Sequence, residues 1–175
     1  MTYQWVSDFV VRYHLCPFAG KPLKAGTIRF EVSNALDWAT AQEDALRELE
    51  LIANEPAALI ETSLLIFPTV LDGFQDYLSF IEWLEAVLEA INLSGEIQVA
   101  SFHPDYQFAG SAVNDPANHT NRSPFPMVHF IREESISKAL EHYPDPEAIP
   151  ARNIAFLQSM GLEAVEAAFR QIKHR

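Results

Sequence analysis

The apolar residues of this chain change their period along its length, and that change limits the possible folds more than any other feature of the sequence. Phe74, Tyr77, Leu78, Ile81, Leu84, Leu88 and Ile91 recur at the spacing of one buried face of an α-helix. On either side lie short runs that read as strands, 58–67, apolar on both faces as a strand covered by helices is, and 97–102. Asp72-Gly73-Phe74-Gln75 resembles a capping box that starts the helix, and Gly95 breaks the chain after it. A strand, a crossing helix and a second strand form the repeating unit of α/β folds.

The rest of the chain extends that unit. Trp5, Phe9 and Tyr13, with Val6 and Val10 beside them, predict an amphipathic helix that stops near Cys16-Pro17. A connector punctuated by Gly and Pro (17–26) leads to a strand at 27–32. A helix at 37–53 turns Ala45, Leu46, Leu49 and Ile52 inward and is ended by Asn54-Glu55-Pro56. A fourth strand is predicted at 127–131 and closing helices at 135–143, 150–160 and 162–173, with Gly161 as a C-cap. A chain of 175 residues suits one domain with a sizeable core. The expectation is a single α/β domain over residues 1–175, a mixed, mostly parallel four-stranded sheet flanked by helices. Strands three and four are joined by the stretch 103–126, far longer than a connection needs, and such loops are usually functional or disordered. Tyr106, Phe108 and Phe125 within it favour a functional loop.

Charge narrows the partners. Twenty-four acids against twelve Lys and Arg give a net charge of -12, which repels both a nucleic-acid backbone and an anionic membrane surface. No apolar run approaches the ~20 residues of a membrane span. The N-terminal residues carry Asp8 and Arg12 inside their apolar pattern and lack the marks of a signal peptide, so a cytoplasmic location is expected. A lone cysteine, Cys16, agrees with a reducing compartment. Within this acidic total, residues 9–30 and 116–132 contain no acid at all, although an even spread would place about five there. A local positive field, and with it a small anionic ligand, is the expectation.

The residues that could serve such a ligand lie mostly in the long loop. His103 and Asp105 stand where the third strand ends, the place where ligands gather in open α/β sheets, and a turn at Pro104 would let the carboxylate orient the imidazole as a general base. The alternative is that Asp105 closes a turn and His103 bonds to the loop backbone. Arg122 could grip a carboxylate or phosphate bidentately, with Asn121 and Tyr106 beside it, while Arg132 on the fourth strand needs either a ligand or a partner such as Glu61 or Glu133. If Pro17 begins a helical turn, Cys16 caps it, and the amides and Lys21 would lower the thiol pKa and make it a nucleophile; a cysteine packed in the core is the alternative. His103, Asp105, His119 and His129 could ligate a metal, but their spacing fits no known signature and no metal is assigned.

Leu15 to Gly20 (LCPFAG), Ala100 to Gly110 (ASFHPDYQFAG) and Asn121 to Ser135 (NRSPFPMVHFIREES), with Arg152-Asn153-Ile154, resemble the bacterial family catalogued as domain of unknown function 1415. The resemblance runs over nearly the whole chain and implies no activity, cofactor or partner. Three functions remain open: a hydrolytic or group-transfer enzyme on a small anionic substrate, a non-catalytic module binding the same ligand, or a subunit whose aromatic loop docks a partner. Cofactor and oligomeric state are undetermined by the sequence.

Overall fold

The computed structural model, which describes residues 1–141 and 143–173, places the four predicted strands in one sheet. They are β1 (Ile28–Val32), β2 (Thr62–Ile66), β3 (Ile97–Phe102) and β4 (Met127–Arg132), in the order β1-β2-β4-β3. The helices are α1 (Thr2–Trp5), continued by a π-helical stretch Val6–Val11, α2 (Gly20–Ala25), α3 (Trp38–Asn54), α4 (Phe74–Ala90), α5 (Glu133–Leu140), α6 (Ile149–Met160) and α7 (Leu162–Lys173). Among the described residues no helix is long and apolar enough to cross a membrane.

The sheet is mixed, as expected, but it is not mostly parallel. β1 and β2 pair in parallel, but β4 pairs antiparallel with β2 on one side and with β3 on the other. β1, β2 and β3 run in one direction, as crossover through α3 and then α4 requires. β4 arrives last and enters between β2 and β3 against them. Its central position suits its sequence, since Met127, Val128 and Phe130 are fully buried.

Local signals set most boundaries. Asp37 caps α3, its carboxylate accepting from the Thr40 amide at 2.9 Å while the Thr40 hydroxyl meets the Asp37 amide. The capping box expected for α4 does not form: Gly73 is the N-cap, so Gln75 falls one position short of reaching back. The first helix ends at Val11 rather than near Cys16 and is wider than an α-helix, with i to i+5 bonds from Arg12 N to Ser7 O (3.2 Å) and from Leu15 N to Val10 O (2.9 Å). His14 then takes a left-handed φ of 54°, which turns the chain so that Leu15 is buried. The connector 17–26 holds the short α2, closed by Gly26 at φ 72°, a conformation that a side chain would strain. The helix predicted at 135–143 is α5, ending at Leu140; His142 lies outside the described residues.

The sheet divides two cores. α3 and α4 cover one face, where Leu49, Ile52, Phe80 and Leu84 meet Leu65 and Phe130. The first helix, α6 and α7 cover the other face, packing Trp5, Phe9, Leu157 and Val165 on Leu64 and Met127. This second layer leaves part of its face bare at Ile28, Thr62, His129 and Ile131, and a cavity opens there.

Candidate functional site

The loop 103–126 holds most residues marked by the sequence, and most of those residues are tied up in hydrogen bonds to the loop or to the chain beside it. His103 is fully buried; its Nδ1 accepts from the Asp105 backbone amide at 3.0 Å, so the proton sits on Nε2, which donates to Leu71 O at 3.1 Å. The Asp105 carboxylate is not what orients the ring, and burial lowers the imidazole pKa and holds it neutral. Phe74 and Tyr77 of α4 pack on it, with centroids 5.2 and 5.0 Å away. Tyr106 lies against Phe74 and Phe108. Asn121 donates to Ser101 O at 3.1 Å, and Arg122 donates to Tyr106 O at 3.0 Å and Val113 O at 2.7 Å. Asn118, also fully buried, accepts from Phe108 N and the Ser111 hydroxyl and donates to Ala112 O.

Arg132 lies apart from the loop. Its guanidinium donates to Ile60 O (3.1 Å) and Glu55 O (2.5 Å), beside the C-terminus of α3, where carbonyls lack helical partners and carry partial negative charge. The partners named from the sequence were carboxylates; carbonyls satisfy it instead. His103, Arg122 and Arg132 therefore do not converge on one cleft, and His103 lies on the α4 side of the sheet, away from Cys16. Among the described residues no group of three or more His, Cys, Asp or Glu side chains could hold a metal ion.

The cavity on the other face has a volume of about 810 Å³ and mainly apolar walls. Its floor is the bare sheet, its sides are the first helix and the turn around Cys16, and α5 forms one edge through Ile136 and Ala139. α5 is amphipathic, and its apolar residues Ile136, Ala139 and Leu140 are only half-buried, two of them on the cavity wall. The turn is clamped from α6: Arg152 donates to His14 O at 2.8 Å and to the Tyr143 hydroxyl at 2.6 Å, and Asn153 donates to Leu15 O at 2.6 Å. Both acid-free windows reach this cavity, the first through Cys16, Lys21 and Ile28, the second through His129 and Ile131.

Few polar groups line it, and several have capacity to spare. The Thr62 hydroxyl lies 2.6 Å from Phe130 O and 2.6 Å from His129 Nε2. It has one proton, which the carbonyl can only accept; His129 Nε2 must then donate, leaving Nδ1 as a bare acceptor. Nδ1 makes no hydrogen bond among the described residues, and burial drives the His129 pKa down to about 4. Trp5 lines the cavity, but its indole nitrogen is buried away from the open space and has no acceptor among the described residues. Lys21 is exposed and in no ion pair among the described residues, Lys138 pairs with Glu134, and Glu61 accepts from Thr27.

Cys16 lines the same cavity, but its thiol is not activated as expected. The Phe18 and Ala19 amides pull its pKa down, and burial outweighs them and pushes it up. At neutral pH it is a thiol. Sequence reasoning passed over Trp5, Thr62 and Tyr143 as site residues, because each reads as ordinary core. The strand alternation that puts Thr62 and His129 on one face was present, but both faces of β2 are apolar and nothing local marked which was left open.

Over residues 1–167 the chain matches the family described as a protein of unknown function, DUF1415, and it belongs to that family. No curated protein and no solved structure matches it.

Proposed function

We propose that the cavity is the working site and that it binds a small, mainly apolar molecule carrying one acidic group. The observation that carries this reading is a mainly apolar space of about 810 Å³ over the bare part of the sheet, edged by the half-buried Ile136 and Ala139 of α5. That volume is in the range of small-molecule sites, which are mostly apolar with a few placed polar groups. Lys21, uncommitted in a segment without acids, supports a carboxylate or phosphate at the mouth. The loop 103–126 then acts as scaffold, and the ligand sits on the sheet face rather than beyond the strand ends.

Calorimetry with straight-chain carboxylates from butanoate to decanoate tests this. Each methylene entering the cavity contributes about 0.8 kcal/mol, so Kd falls about fourfold per added carbon until the cavity is full. Affinity independent of chain length would sink the reading.

Hydrolysis or group transfer on the bound ligand is a second reading, favoured by a thiol and a neutral imidazole on the walls of one cavity. With p-nitrophenyl hexanoate, the Cys16 sulfur would bond the acyl carbon, p-nitrophenolate would leave, and the thiol proton would pass to His129 Nδ1. A burst of p-nitrophenolate with an acyl mass on the protein, both lost in Cys16→Ser, is expected; no acyl adduct at Cys16 leaves binding alone.

A further inference from the structure

The sheet has two edges, β1 and β3, and the chain treats them differently. β3 is closed at both ends: the Ile97 amide donates to Leu93 O at 3.0 Å, and Asn121 donates to Ser101 O at 3.1 Å. β1 is open. Its odd-numbered backbone groups face β2, as the bonds from Glu61 N to Thr27 O (2.9 Å) and from Ser33 N to Ile66 O (2.8 Å) show. The amides and carbonyls of Ile28, Phe30 and Val32 therefore point away from the sheet, and among the described residues nothing bonds to them. Such an edge is a template for another strand, and proteins usually blunt it with proline, charge or a covering segment. β1 has no proline, and two large apolar side chains stand exposed beside it: Val32 at 53%, and Tyr3, which packs on Phe30, at 56%.

We propose that β1 pairs antiparallel with β1 of a second copy of this chain, about a two-fold axis at Phe30, joining two four-stranded sheets into one. The strand is its own complement. Centred on Phe30, Ile28 meets Val32, Arg29 meets Glu31, and Phe30 meets Phe30 of the second copy. A register centred on Arg29 or on Glu31 would instead set like charges opposite each other. The outward groups belong to Ile28, Phe30 and Val32, so these make the hydrogen-bonded pairs, and Arg29 and Glu31 fall on the non-bonded pairs, where facing side chains are closest. Buried Glu48 already holds the Arg29 guanidinium through Nε at 2.8 Å, and a second nitrogen meets Glu31 of its own strand at 2.6 Å. Arg29 has further donors, so it can take Glu31 of the second copy without leaving Glu48. The pairing is independent of what the cavity binds.

Sedimentation equilibrium of the full chain at pH 7, up to about 200 μM, tests it, and the expected species has twice the chain mass. Glu31→Arg opposes like charges at both symmetry-related pairs and should weaken the dimer about tenfold or more, with an unchanged circular dichroism spectrum. Val32→Pro removes an outward amide that no bond within the chain uses. An edge strand tolerates proline there, so this variant should fold and sediment as a monomer. A monomer throughout the range for the unaltered chain overturns the proposal. A dimer that Glu31→Arg leaves as tight overturns it too, because that dimer uses another face or register. Should either variant fail to fold, the other decides.

Discussion

The loop 103–126 and the cavity on the opposite face of the sheet divide the polar residues of this protein in unlike ways. The loop is dense with them. Asn118 alone bonds to Phe108, Ser111 and Ala112, Arg122 ties Tyr106 to Val113, and both nitrogens of His103 are occupied. The cavity has few, and of these His129 Nδ1 and the Lys21 ammonium have no partner among the described residues. A long chain segment without regular structure must satisfy its own backbone, and it recruits Asn, Arg and His to do so. Polar density therefore marks where the chain had to be held. Even so, His119 Nδ1 and Thr120 Oγ1 of the loop are buried without a partner among the described residues.

That contrast breaks first on the loop. His103→Ala removes a buried ring and its bonds to Leu71 and Asp105, at a cost of about 3 kcal/mol and a melting temperature lower by about 6 to 12 °C. Decanoate affinity per folded molecule should be unchanged. A variant that melts normally and loses binding or turnover would return the site to the loop.

Acid sharpens the comparison from the cavity side. Folding keeps His129 neutral down to about pH 4, whereas an unfolded imidazole takes its proton near 6.5. Between those values the unfolded state binds more protons, so the stability is fully present above about pH 6.5 and is lost as pH falls toward 4. The slope from this one group reaches about 1.4 kcal/mol per pH unit. His119, also held down to about 4, and His103 add in the same direction. Urea unfolding from pH 7 to 4 should show the slope, and His129→Phe should remove about one proton's worth of it; an unchanged slope would mean that His129 is not the buried neutral group described.

Filling the cavity comes next in size. Ala139→Trp places a large side chain from α5 into the open space and should weaken decanoate at least tenfold, about 1.4 kcal/mol, with stability altered by less than about 1 kcal/mol. Undiminished binding would place the ligand elsewhere. The smallest effect is expected at the mouth. Lys21→Met should weaken decanoate about threefold at low salt, less at 0.5 M salt, and leave decanol unaffected. Equal losses for acid and alcohol would remove the case for an anionic group.

How much of this was legible follows from the range of each signal. β3 (Ile97–Phe102) and α4 (Phe74–Ala90) were readable because their apolar periods are complete within a few turns of chain. The antiparallel insertion of β4 was not, since nothing within residues 127–132 states its direction relative to β2. Cys16 and Lys21 were identified from their own motif, but the thiol pKa moved opposite to expectation because burial comes from distant elements and outweighs the neighbouring amides. His129 was noticed as a histidine in a strand. That its Nδ1 is free depends on Thr62, 67 residues away, taking the other nitrogen.

By itself the sequence determined the α/β class, the positions of four strands, the family, and the stretches of chain that carry unusual charge, all of which rest on periods and compositions local to the chain. Only the tertiary structure decided which polar groups remain available. A hydrogen bond is an exclusive claim on a donor or acceptor, and its claimant can come from anywhere in the chain. Arg132 met carbonyls at Glu55 and Ile60, and His103 met Leu71, whereas Trp5 met no acceptor at all. Those allocations are settled only when the helices close over the sheet.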